Sequence, residues 1–349
     1  MAAPSTLQKA FRDSTLVQRQ VYLMGTICTL VSYARDRSLG IGQLERYVRL
    51  LEETDQQLSI WAEKSEISQI NRQPVGVPYQ LSPSLCHLFG QLVHWVQDTG
   101  SAFDPAVGTL MRVYRSSHSY ASNFGERQHR AWQSSGMENL EFCEAECSLV
   151  LRRPLLMDSG AFGKGAALDY VHQYAQRQGG GPWLIDLGGQ IMVSGIPQGM
   201  PAWTVQIADP RFRYKTVLSI PLDRGSLATS SGSEQDVQMG QRRVSHILDP
   251  RTGKGVSFKG SVVVWHEKAL VADILSTALY VMGPETGLIW AEDRALAVCF
   301  LERKDTGTFP LRIQPTRDFV KRFPGLSLRA ESASAARCPD FQPNRQHAP

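Results

Sequence analysis

Apolar positions fall into two rhythms along the chain. Between residues 41 and 58, Leu44, Tyr47, Val48, Leu51 and Leu58 recur at helical spacing while Glu45, Glu52, Glu53 and Asp55 take the other faces, which predicts an amphipathic helix. Ser82-Pro83 predicts the start of a second, running through Leu85, Leu88, Phe89, Leu92, Val93 and Val96 to Gly100. A third carries Ala167, Leu168, Val171, Tyr174 and Ala175, and a fourth covers residues 269–283. Strand-like runs fill 21–34, 149–156, 203–207, 216–222, 260–264, 294–302 and 308–313. Residues 183–195 read as two strands around Gly188-Gly189, and Asp209-Pro210 marks a turn. Strands arrive both in succession and alternating with helices, which favours an α+β fold of mixed sheets with packed helices over a doubly wound parallel sheet. The pattern divides the chain into a polar lead-in at 1–20, a main domain at 21–315 and a disordered tail at 330–349, with a surface loop at 115–136.

Composition narrows the function classes. A net charge of +4 over 349 residues, with no basic stripe interleaved with aromatics, argues against nucleic acid. The N-terminus has no uninterrupted apolar core for a signal peptide, and the most apolar runs are too short or too polar to span a bilayer. A cytoplasmic protein is the simplest expectation. The six cysteines fit it as reduced thiols, since Cys143 and Cys147 lack the paired spacing of a zinc site.

The densest chemistry lies in Met157-Asp-Ser-Gly-Ala-Phe-Gly-Lys-Gly-Ala-Ala-Leu-Asp169, expected to follow a strand ending at Asp158 and to open the third helix. Gly160, Gly163 and Gly165 allow close backbone approach, and Lys164 at a helix start suits an anion. It is neither a P-loop nor G-x-G-x-x-G, so an ordinary Gly-rich connection stays open as a reading. Asp273 and Thr277, four residues apart on the fourth helix, share one face. They suit either an intrahelical contact or a hard cation such as Mg²⁺. Ser65, Ser68 and Asn71 recur every three residues as helix caps would. Trp61 suits a core or a planar ligand.

Taken together, Met24-Gly-Thr26, Ser65-Glu-Ile-Ser-Gln-Ile-Asn71, Ala102-Phe-Asp-Pro-Ala-Val-Gly108, the 158–169 stretch, Leu187-Gly-Gly189, Ala228-Thr-Ser230, His246-Ile-Leu-Asp-Pro-Arg-Thr-Gly253 and Ala272-Asp-Ile-Leu-Ser-Thr-Ala278 stand in the order of one family. The chain resembles the FAD:protein FMN transferases over roughly residues 20–303. The resemblance implies an α+β fold with FAD in a cleft between two intimately packed halves. It also implies Mg²⁺, release of AMP, and transfer of FMN to a Thr or Ser of an acceptor flavoprotein. Carried over by position, Met24, Trp61, Ala102, Phe103, Asp104, Asp158, Lys164 and Ile247 meet FAD. The Ala161 carbonyl, Asp273 and Thr277 hold Mg²⁺, with help from Ser276. His246 is the expected general base, oriented by Asp249, and Lys164 neutralises phosphate charge. Ser159, Phe162, Ala166, Gln190 and Ser231 depart from the family pattern. An FAD-binding or maturation protein without transferase activity, or an FAD pyrophosphatase, is the alternative.

Overall fold

The computed structural model describes residues 15–116, 123–232, 237–239, 242–303 and 311–326. The expected tail at 330–349 and residues 1–14 of the expected lead-in lie outside them. The strands that carry the architecture are β1 (Thr15–Leu23), β2 (Thr26–Ala34), β3 (Trp183–Leu187), β4 (Gln190–Ser194), β5 (Trp203–Asp209), β6 (Phe212–Leu222), β7 (Gly225–Ser231), β8 (Gly260–His266), β9 (Ala297–Arg303) and β10 (Leu311–Pro315). The helices are α1 (Arg37–Leu58), α2 (Glu66–Ile70), α3 (Pro83–Asp98), α4 (Gly108–Arg115), α5 (Phe124–Gln133), α6 (Gly163–Gln178), α7 (Ala269–Glu292) and α8 (Arg317–Arg322).

Eight strands form one sheet in the order β1-β2-β3-β4-β7-β8-β9-β10. Each neighbouring pair is antiparallel, so the expected mixed sheet is an antiparallel one. Helices α1, α6 and α7 stack on one face. On the other, the β5-β6 ribbon buries Trp203, Val205, Ile207, Leu218, Ile220 and Leu222 with Phe319 of α8. Helix α7 lies deepest: Leu270, Ile274 and Ala278 pack into one apolar cluster while Val271, Leu275 and Leu279 pack into another. A helix apolar on nearly every side belongs inside, and this burial gives Asp273 its significance.

Several boundaries differ from the sequence reading. The expected strand at 21–34 is a hairpin, because Met24 (φ 50°) and Gly25 (φ 73°) both take the left-handed conformation of a tight two-residue turn. Residues 15–20, expected as lead-in, form most of β1 and pair with β2. Within 115–136, expected as loop, 124–133 is α5. Ala131 and Trp132 of that helix pack with Leu110, Tyr114 and Leu248, and Phe124 meets Tyr114 edge to face at 5.5 Å. The strand expected at 149–156 stops at Leu151, and Pro154 follows without a donor. The fourth helix kinks at Gly283 (φ 73°), ahead of Pro284, and continues to Glu292.

The cysteine reading is corrected as well. Cys86 of α3 and Cys147 form a disulfide, their Cα atoms 5.3 Å apart, while Cys28, Cys143 and Cys299 are free. The bridge withdraws the support that reduced thiols lent to a cytoplasmic location, since disulfides persist in oxidising compartments. It links residues 61 apart in sequence, so loop-closure entropy assigns it about 4 kcal/mol. Reduction, or Cys86→Ser, is expected to lower the denaturation midpoint accordingly. Unchanged stability with no thiols gained on reduction would contradict the bridge.

Candidate functional site

A cleft of about 950 Å³ opens beside the end of the sheet. Its lining includes Met24, Trp61, Ala102, Phe103, Asp104, Asp158, Ala161, Lys164, His246, Ile247, Asp273 and Thr277. Of the site residues predicted from sequence, all but Ser276 and Asp249 therefore meet in one place. Ser276 donates to the Asp273 carbonyl at 3.0 Å and shares a 2.8 Å hydrogen bond with Ser230 Oγ, so it braces the helix behind the cleft. The Asp249 carboxylate is taken by Arg251, which donates through its backbone N–H, Nε and a terminal nitrogen at 3.0, 2.9 and 3.0 Å.

The 157–169 stretch is held by backbone bonds to several elements. Asn71 accepts from Met157 N–H at 2.7 Å and donates to its carbonyl at 3.1 Å. Asp158 N–H donates to the Pro105 carbonyl at 2.7 Å. Ser65 caps α2 as its spacing predicts, and Ser68 donates to the Ser59 carbonyl, two residues before Trp61. Asp158 then caps the turn Ser159–Ala161 by accepting from Gly160 N–H at 2.9 Å.

At the start of α6, Gly165 N–H donates to Asp273 Oδ2 at 2.9 Å. In a regular helix that donor would serve the Ala161 carbonyl one turn back. Among the described residues the Ala161 carbonyl accepts no such bond, although the next one, from Ala166 N–H to the Phe162 carbonyl, is made. Gly165 is required for this approach: a Cβ there would stand 2.5 Å from the Ala269 carbonyl oxygen. The exchange thus leaves the Ala161 carbonyl open in a cleft that Asp273 and, one turn further along α7, Thr277 also line. An all-oxygen set of this kind fits a hard cation such as Mg²⁺.

Electrostatics point the same way. Asp273 is buried, which pushes its carboxyl up, against the Lys164 charge and the Gly165 N–H. Burial likewise raises Asp186, which accepts from Gly189 N–H at 2.9 Å and feels the same Lys164. Lys164 thus faces two carboxylates and donates no hydrogen bond to the described residues. Burial also pushes Asp104 up to about 6, against hydrogen bonds from Met137 and Ala106 N–H. Its carboxylate serves that turn as well as the cleft.

Asp186, Arg115 and Asp55 are cleft residues that sequence reasoning missed. Asp186 had a signal, an Asp three residues before a glycine with φ 86°. Burial raises the Asp55 carboxyl and the nearby Met24 backbone N–H opposes that rise, a proximity without local signal. Among the departures, Phe162 is core, and Gln190 donates to Ser226 Oγ at 2.9 Å and to the Ala269 carbonyl at 3.1 Å, fixing the start of α7.

Asp169 completes that start. Its two oxygens accept from Ala269 and Leu270 N–H at 2.7 and 3.0 Å, supplying α7 with a cap from α6. Burial pushes Asp169 up to about 6, outweighing these two bonds and the opposing charge of Lys268. A carboxyl raised on folding contributes stability that is fully present below the unfolded value of 3.8 and is lost as pH rises through about 6. Asp169→Asn is therefore expected to flatten the stability profile between those values, by up to about 3 kcal/mol. An unaltered slope in urea melts across that range would contradict this assignment.

Solved structures share the whole architecture. The chain matches "Flavin Transferase ApbE from Vibrio cholerae" with a TM-score of 0.78 and 26% identity, over 89% of this chain and 99% of that one. A Thermotoga maritima ApbE protein matches with a TM-score of 0.79 at 23% identity, over 88% of this chain and 99% of that one. The fold is therefore that of the flavin transferases. A curated Klebsiella pneumoniae FAD:protein FMN transferase is 28% identical over 283 residues, which is 79% of this chain and 85% of the relative. The sequence model of the ApbE family matches residues 24–300, and the chain belongs to that family.

Proposed function

We propose that this chain is a Mg²⁺-dependent FAD:protein FMN transferase that moves FMN from FAD to a Thr or Ser hydroxyl of an acceptor flavoprotein and releases AMP. The observation that carries this reading is the Gly165 exchange. It leaves a carbonyl open in the cleft that a buried carboxylate, a hydroxyl and an ammonium without a hydrogen-bond partner among the described residues also line. The names of the relatives support FAD as the substrate.

Ala161, Asp273 and Thr277 would hold Mg²⁺, which would supply Lewis-acid neutralisation of the pyrophosphate. Lys164 binds the phosphate oxygens and stabilises charge as it develops. His246 takes the proton as the acceptor hydroxyl attacks the FMN phosphorus. The bond between that phosphorus and the bridging oxygen breaks, and AMP leaves with the bridging oxygen. Trp61, Phe103 and Met24 orient the ring systems and exclude water.

No helix among the described residues is long and apolar enough to cross a membrane. The disulfide favours an acceptor met in an oxidising compartment over the cytoplasmic one expected from sequence. Purified chain, FAD and candidate acceptors, with and without Mg²⁺, test the reading by chromatography of nucleotide products. AMP is expected only with Mg²⁺, and its yield is expected to rise with acceptor. AMP formed equally without acceptor would favour hydrolysis instead.

A further inference from the structure

Trp61 is 81% exposed although it lines a concave cleft. A flat aromatic left open in such a place suits a planar ring. The Arg115 guanidinium stands over it, 6.0 Å from the ring centroid. The same guanidinium donates to Asp158 Oδ2 at 3.2 Å. Asp158 is held in turn by its bonds to Gly160 N–H and the Pro105 carbonyl. Arg115 ends α4, whose first residue, Gly108, donates to the Leu156 carbonyl at 2.8 Å; a Cβ at Gly108 would stand 2.6 Å from that oxygen. Helix and stretch are therefore joined by backbone contact, and the Arg115 side chain reaches Asp158 from a partly exposed position.

We propose that Arg115 is a substrate-binding residue: it closes a slot over Trp61 that takes one ring system of FAD, and it aims the Asp158 carboxylate at that ring's polar edge. This rests on the flavin reading above. A ring between two stacking faces needs about 7 Å, so a shift of about 1 Å in a half-exposed side chain opens the slot. Guanidinium suits this role because it stacks while its remaining N–H groups stay on a carboxylate. Isoalloxazine and adenine both offer a flat face with N–H donors, and FMN and AMP serve as separate probes for them.

Calorimetric titration with FAD, FMN and AMP compares the wild-type chain with Arg115→Ala and Arg115→Gln, the latter able to keep a hydrogen bond to Asp158. Both variants are expected to bind FAD roughly tenfold more weakly, with the same loss on one of the two half-ligands. KM for FAD should rise while kcat and the ligand-free melting temperature stay unchanged, a pattern that a merely structural residue would not give. Combined with Trp61→Ala, the effects should not add. Wild-type affinity for all three probes in Arg115→Gln would overturn the proposal alone. A wild-type chain that binds no FAD would overturn the flavin reading and this proposal together.

Discussion

Asp273→Ala is expected to reduce AMP release on the order of 10²–10³-fold and to remove its dependence on Mg²⁺ concentration. The reasoning begins with burial. Helix α7 is packed on both sides, and a carboxylate inside it carries a desolvation cost that only partners offset. Two are visible, the Gly165 N–H and the Lys164 charge. Neither accounts for Thr277 in the cleft on the same helical face, or for the carbonyl of Ala161 that the Gly165 exchange sets free. A divalent cation accounts for all three. Alanine at 273 should therefore cost activity without a matching loss of stability, because it also removes a buried charge. Asp273→Asn, which keeps an acceptor for Gly165, should lose activity to a similar degree. Full activity of either variant at limiting Mg²⁺ would remove Asp273 from the metal site.

His246→Ala is expected to slow transfer by about 10²–10⁴-fold while leaving FAD affinity close to that of the wild type. His246 lines the cleft next to Ile247, whose backbone N–H donates to Ser245 Oγ at 3.2 Å and fixes the loop locally. The Asp249 carboxylate, expected from sequence to orient that imidazole, is paired with Arg251. Asp249→Asn is therefore expected to leave the rate near wild type, in contrast to His246→Ala. If the loss in His246→Ala persists undiminished at high pH, where hydroxide can replace a general base, the proton-transfer role is wrong. Single-turnover rates across pH make that comparison.

Much of this site was legible because its residues sit in short motifs whose spacing carries chemistry. Asp273 and Thr277 announce a shared face by helical period, and Lys164 stands at the helix start that its glycines predict. Ser82-Pro83 and Ser65 cap their helices as read. The misses have a common physical origin in contacts between residues distant in sequence. Arg115 gains meaning only beside Asp158 and Trp61, and Asp55 only beneath the Met24 turn. The hairpin at Met24-Gly25 was hidden because apolar residues continue through it, with no Asn-Gly or Asp-Gly to mark the reversal. The Cys86–Cys147 bridge joins a helix to a turn 61 residues on, a pairing that spacing does not reveal. The Asp249 carboxylate is engaged by its near sequence neighbour Arg251, a local pairing that the motif did not announce.

The central claim is that FMN leaves FAD for a hydroxyl of another protein. The most direct measurement is the intact mass of an acceptor after incubation with the chain, FAD and Mg²⁺, followed by denaturation and peptide mapping. The account predicts a mass gain equal to FMN less water, located on a single Thr or Ser, formed in step with AMP and absent with the Asp273→Ala variant. AMP and free FMN with an acceptor of unchanged mass would contradict it.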